Sequence, residues 1–151
     1  MPKPGRSPSV ALLVVVGLLV VGCDSIDSSP SGGTPDPRAP TDLAGTSWTV
    51  VRIGESDTLE SARPTLTFEP GRQATGSTGC NSFGGAYVLD GTSLAFGLLA
   101  VTKRACADAG RMTQESALLE ALSGVTACEI DEEGRLHLSG TNTLVLAAAD
   151  S

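Results

Sequence analysis

The 151-residue chain predicts a mainly β domain of the α+β class: a rolled antiparallel sheet or small β-barrel of seven to eight strands, with one helix inserted before the last three. Three observations carry this. Two-residue alternation of apolar and polar side chains recurs between Ser47 and Ala147, interrupted at short intervals by Gly, Pro, Asp and Asn turn signals. Only Arg111–Leu122 breaks that pattern, with good helix formers and neither Gly nor Pro. A sheet of so many short strands must also close on itself or cover its edges, which favours a rolled form plugged by the helix.

Each element has a local reason. Ser47–Ile53 is the first strand, with Trp48 and Val50 on one face and Arg52 in phase with them. Thr65–Phe68 is the second, closed by the turn Glu69-Pro70-Gly71-Arg72. Gln73–Thr78 is a polar third. Ala86–Leu89 and Ser93–Phe96 flank Asp90-Gly91, the strongest short-range hairpin signal in the chain. In the helix, Met112, Leu118, Leu119 and Leu122 share an apolar face, and Gly124 stands where a stop belongs. Ala127–Asp131 and Arg135–Ser139 flank Glu132-Glu133-Gly134, and Thr143–Ala147 closes the domain. The five aromatics Trp48, Phe68, Phe83, Tyr87 and Phe96 are all needed to fill so small a core.

The first 40 residues read differently. Lys3 and Arg6 precede an unbroken apolar run from Val10 to Val21. Twelve residues rise only about 18 Å as a helix, short of a hydrocarbon core of roughly 30 Å. The length suits the apolar region of a secretory signal. Val20-Val21-Gly22-Cys23 resembles the bacterial lipobox, which implies cleavage of residues 1–22 and a diacylglycerol on the Cys23 sulfur. Residues 23–40 are then a lipidated cysteine and a flexible Ser/Pro/Gly tether, leaving one domain over 41–151. Loss of Lys3 and Arg6 takes the formal net charge from −7 to −9 and leaves Lys103 as the one lysine. Such an acidic chain without a basic, aromatic-laced patch disfavours nucleic-acid binding. It also leaves acyl chains to supply attachment to the bilayer, at about 0.8 kcal/mol per buried CH₂.

Within the domain, Gly79-Cys80-Asn81-Ser82-Phe83-Gly84-Gly85-Ala86-Tyr87 resembles the META domain family, which includes HslJ-like heat-shock proteins and DUF306 lipoproteins. Leu43-Ala44-Gly45-Thr46-Ser47-Trp48 is similar to that family's opening, and Thr102-Lys103-Arg104-Ala105-Cys106 to a later motif, followed by Met112 and Glu115. The departure is Arg104, where the family often has methionine. The resemblance implies a compact β-rich domain with one helix, no shared reaction, and links to heat shock, stress response and antibiotic tolerance. It also singles out Trp48, Gly79, Asn81, Phe83, Gly85, Tyr87 and Thr102 as motif residues with structural or binding roles. Because Cys80 and Cys106 both fall in its motifs, it pairs them as a disulfide.

The remaining chemistry-bearing residues have plain readings. Cys128 is a buried thiol in phase with Ile130. A metal site of three Cys and His137 lacks the close Cys pairs that zinc sites use, so neither metal nor cofactor is expected. His137, the one histidine, lies between Leu136 and Leu138 and points to solvent if they point inward. Gly76-Ser77-Thr78-Gly79 lacks the Gly-Lys-Ser/Thr ending of a phosphate cradle and suits a bulge or close backbone approach. Asn81 has two roles open to it: bonding turn backbone through oxygen and amide, or facing a cleft to bind a ligand. Asp131-Glu132-Glu133 is a solvated hairpin turn. Lys103-Arg104 is either a pair of surface charges or a receiver for an anionic group.

These readings make the protein a lipid-anchored bacterial envelope protein, on the periplasmic side or cell surface, with a non-catalytic accessory or binding module. Its partners are the bilayer, through Cys23, and an envelope protein or small ligand. A small-ligand carrier of barrel type is the alternative, and a hydrolase using Ser or Cys80 a more distant one.

Overall fold

The computed structural model describes residues 39–149. Cys23, the signal and residues 24–38 of the tether lie outside the described residues. Strands β1 (Thr46–Ile53), β3 (Thr65–Glu69), β4 (Gln73–Ser77), β5 (Ser82–Asp90), β6 (Ser93–Phe96), β8 (Val125–Ile130), β9 (Leu136–Gly140) and β10 (Leu144–Ala148) pair antiparallel into a ring that β1–β10 closes. Two-residue strands β2 (Ser56–Asp57) and β7 (Ala100–Val101) hang on β1 and β5. Helix α1 (Ala109–Ser123) enters between β7 and β8, before the last three strands as expected. Among the described residues the fold is a closed eight-stranded antiparallel barrel with two extra strands, one α-helix and a single 3-10 turn, Glu60–Ala62.

Closure solves the edge problem that so many short strands pose. Trp48 faces Ala148 and Ile53 faces Leu144 across the seam. Inward side chains then fill the interior: Val50, Leu66, Phe68, Leu94, Leu136, Leu138, Leu144 and Leu146 are each at most 1 % exposed. Phe68 meets Tyr87 edge-on at 5.0 Å and stacks on Phe96 at 6.1 Å. Trp48, Phe83 and Tyr87 are buried as expected, whereas Phe96 is only half-buried at the barrel's rim.

Helix α1 covers one end of the barrel and Leu43, fully buried, lies near the start of β1 at the other. Asp108 caps the helix, its Oδ1 accepting from the Arg111 amide at 2.8 Å. The buried face of the helix is Gln114, Leu118, Ala121 and Leu122. Met112, expected on that face, is 57 % exposed, because it stands two residues, about 200° of turn, from the buried Gln114 and so faces away from the barrel. Gly124 ends the helix as expected but with φ −100, so no left-handed turn requires it. A Cβ there would lie 2.4 Å from Thr141 Oγ1, and close approach of the neighbouring loop is the reason for glycine.

One expectation of phase is corrected and another holds. Arg52 does not share the face of Trp48 and Val50; the β1–β10 register shifts between Val50 and Arg52, so Ile53 turns inward and Arg52 outward. Cys128 is 2 % exposed and in phase with Ile130 as expected: they pair with the inward Leu138 and Leu136, and Ile130, partly buried, packs against the core. A second register shift, between Val125 and Ala127, lies before both and leaves them on one face. Strand β5 also runs four residues further back than the Ala86–Leu89 expected, so the motif from Ser82 onward is itself strand.

Candidate functional site

Three segments meet beside the first turns of α1: the β4–β5 connection Thr78–Asn81, the loop Thr102–Cys106 after β7, and Gln114–Glu115 of the helix. The connection is held by its own ends, the Thr78 amide donating to the Asn81 carbonyl and the Asn81 amide to Thr78 Oγ1, both at 2.8 Å. Gly79 makes the tight passage possible. Its φ is +89, and a Cβ there would lie 2.2 Å from the Ala62 carbonyl.

Asn81, 1 % exposed, joins the three segments. Its Oδ1 accepts from the Arg104 amide at 2.7 Å and from the Thr102 hydroxyl at 2.9 Å. Its Nδ2 donates to the Arg104 carbonyl at 3.1 Å and to the Glu115 carboxylate at 3.0 and 3.2 Å. The Thr78 hydroxyl donates to the same carboxylate at 2.5 Å. One helical position earlier, Gln114 Nε2 donates to the Ala62 carbonyl at 2.8 Å and its Oε1 accepts from the Leu59 amide at 2.7 Å. Adjacent positions 114 and 115 thus bind two different loops. A polar network whose members satisfy one another this fully makes a rigid corner.

A disulfide between Cys80 and Cys106, with Cα atoms 5.7 Å apart, ties the same two loops covalently. The Arg104 guanidinium donates to the Cys80 carbonyl at 3.0 Å. It is the backbone of residue 104 that Asn81 grips, through both amide and carbonyl, so the side chain there is free to be arginine rather than methionine.

The corner's outer surface is a groove. A cavity of about 550 Å³ is lined by Asn81, Val101, Thr102, Lys103, Arg104, Ala105, Glu115 and Leu119. Val101 and Leu119 also line an adjoining apolar hollow with Phe96 and Leu98. Leu98 is 97 % exposed, the barest large apolar side chain among the described residues. A larger cavity, about 670 Å³, lies between the Ile53–Asp57 turn and α1. Gln114 is the only member of the polar network that it touches, and the motif residues lie elsewhere.

Other candidate residues sit apart from this corner. Trp48 is core, its Nε1 donating to Thr46 Oγ1 at 2.8 Å. Phe83 and Tyr87 point into the barrel from β5, where Gly85 lies opposite Ala74. Thr102, by contrast, belongs to the corner: exposed yet fully engaged, it also accepts from the Ser82 amide at 3.0 Å. His137 is on the outer face of β9 but is not free in solvent: its Nε2 lies 2.8 Å from Asp131 Oδ2. Asp131 is likewise more than a solvated turn carboxylate, since its Oδ1 accepts the Glu133 and Arg135 amides at 3.0 and 2.8 Å. Burial pushes its pKa up, but the Arg135 amide, the His137 hydrogen bond and the Arg135 charge outweigh it and hold the carboxyl down at about 2. Sequence reasoning missed Thr78 and Gln114. Both are polar residues that alternation assigns to no buried face, and only their loop partners explain their burial.

The META domain family matches residues 41–151. Three solved structures share the fold. An NMR structure of a protein from Burkholderia xenovorans is 25 % identical, with a TM-score of 0.62 over 100 % of both chains. A second NMR structure is 22 % identical, with a TM-score of 0.58 over 72 % of this chain and 92 % of that one. A crystal structure of a DUF4847 family protein from Bacteroides vulgatus is 14 % identical, with a TM-score of 0.52 over 72 % of this chain and 96 % of that one. No curated protein matches the chain.

Proposed function

Because this chain belongs to the META domain family, we propose that it is a lipid-anchored envelope protein whose barrel is a non-catalytic binding module serving stress and antibiotic tolerance. One observation carries the reading. The motif side chains that would do chemistry bond each other, while the surface beside them presents an apolar strip, with a bare leucine, that runs to two adjacent cations. Asn81, Thr78, Thr102 and Glu115 are mutually engaged, and Cys80 is held in a disulfide rather than poised as a nucleophile. His137 pairs with Asp131. Leu98, Val101 and Leu119 form an apolar strip that ends at Lys103 and Arg104, in a chain of net charge −7. An envelope protein with an acidic, partly apolar segment has the complementary chemistry.

The small-ligand carrier of barrel type has less support, since leucine and phenylalanine side chains occupy the space where a lipocalin-like barrel would hold its ligand.

The test is complementation of a deletion strain under heat and envelope-active antibiotics. Wild type restores survival, while Cys23→Ala and the double substitution Leu98→Glu, Lys103→Glu do not, although the latter folds normally. Normal survival of the deletion strain under every stress removes the proposed role. Full complementation by the double variant removes the proposed surface.

A further inference from the structure

We infer that the Cys80–Cys106 bridge, once reduced, becomes a zinc site completed by Glu115. The two sulfurs and a Glu115 carboxylate oxygen all lie within 4.8 Å of one another, and all three residues are half-buried. A tetrahedral Zn²⁺ with bonds of about 2.3 Å to sulfur and about 2.1 Å to oxygen needs ligands roughly 3.5–3.8 Å apart. Opening the bridge and small side-chain rotations supply that spacing without moving the barrel.

Two independent observations single out Glu115 as a ligand in waiting. Among the described residues no lysine or arginine pairs with it, so its charge faces only neutral donors. Those donors, the Thr78 hydroxyl and Asn81 Nδ2, converge on Oε2 at 2.5 and 3.0 Å, while Oε1 has one longer contact at 3.2 Å. This is how outer partners orient a metal-binding carboxylate, leaving one oxygen for the ion. Two thiolates and a carboxylate give the zinc complex one net negative charge. The Arg104 guanidinium, 3.0 Å from the Cys80 carbonyl, lies beside it to offset that charge. The cavity that Glu115 lines opens to solvent, giving the ion a path and a water its fourth position.

The chemistry balances with a dithiol reductant of the thiol–disulfide oxidoreductase class. Its thiolate attacks one bridge sulfur, the Cys80–Cys106 bond breaks, and closure of the reductant's own disulfide delivers two electrons. Two protons complete the thiols. Zinc then displaces both protons to solvent as it binds the thiolates.

The mature lipidated protein, purified in detergent, is reduced anaerobically, freed of reductant and titrated with Co²⁺ and then Zn²⁺. Reduced wild type and Cys128→Ala should bind one ion with a thiolate-to-cobalt charge-transfer band, and the oxidised protein should show none. Glu115→Gln should weaken zinc at least about tenfold. No band in reduced wild type overturns the site. So does equal affinity in Glu115→Gln, which assigns the ion to the thiols of a loosened loop, or loss of binding in Cys128→Ala.

Discussion

Asn81 Nδ2 lies 3.0 Å from Glu115 Oε2, linking the β4–β5 connection to a helix 34 residues further along the chain. The same side chain grips the Arg104 backbone from both sides, at 2.7 and 3.1 Å. A single amide therefore holds three chain segments in one geometry, its oxygen accepting and its two N–H groups donating from one flat group.

Replacing Asn81 tests that statement. Asn81→Ala leaves the Arg104 backbone and the Glu115 carboxylate without their partner and should cost about 2–4 kcal/mol. Asn81→Asp should be worse at neutral pH, since it sets a carboxylate oxygen where the donor faced Glu115. The repulsion exists only while both groups are charged, so this penalty shrinks as the pH falls. Urea unfolding at pH 7 and pH 5 measures both effects. An Asn81→Asp protein that matches Asn81→Ala at both pH values contradicts the arrangement.

The disulfide should contribute strongly to a domain this small. Its sequence separation is 26 residues, and in the chain-entropy account closing such a loop stabilises the fold by roughly 3–4 kcal/mol. The double replacement Cys80→Ala, Cys106→Ala should lower the melting temperature accordingly, and wild type should drop to the same value in reductant. A variant that melts where oxidised wild type does contradicts this account.

Acid should act through Asp131. Its carboxyl sits at about 2 in the fold, below the ordinary 3.8. A depressed carboxylate contributes stability above its unfolded pKa, and that contribution is lost as pH falls through the folded one. Wild type should therefore lose stability between about pH 4 and pH 2, and Asp131→Asn should lose less over that window. The comparison of melting temperatures across the window decides it; parallel curves rule Asp131 out.

Cys128 should behave as a core side chain. It is 2 % exposed and burial pushes its thiol up to about 11. Iodoacetamide at pH 8 should leave it untouched in the native protein and label it in urea, at a rate that follows unfolding. Rapid labelling of folded protein at this position would place it outside the core.

Much of the barrel was legible because its signals are local. The Asp90-Gly91 hairpin, the Glu132-Glu133-Gly134 turn and the helix before the last three strands each follow from turn chemistry and periodicity over a few residues. The corner was legible only in its parts. The motif resemblance named Cys80, Asn81, Thr102, Cys106 and Glu115, but nothing local says that an amide at 81 meets a carboxylate at 115. Met112 looked like core because a count of apolar residues does not register that the inward position of that turn is the polar Gln114.

By itself, then, the sequence determined the class of fold and the order of its elements, since these depend on spacing over a handful of positions, while the motif resemblance supplied part of the polar corner. The tertiary structure decided the β1–β10 seam, the bulge that turns Arg52 outward and Ile53 inward, and the burial of Thr78 and Gln114. Those depend on partners many residues distant. A one-residue slip in strand register reverses every following side chain, and no local pattern records where such a slip occurs.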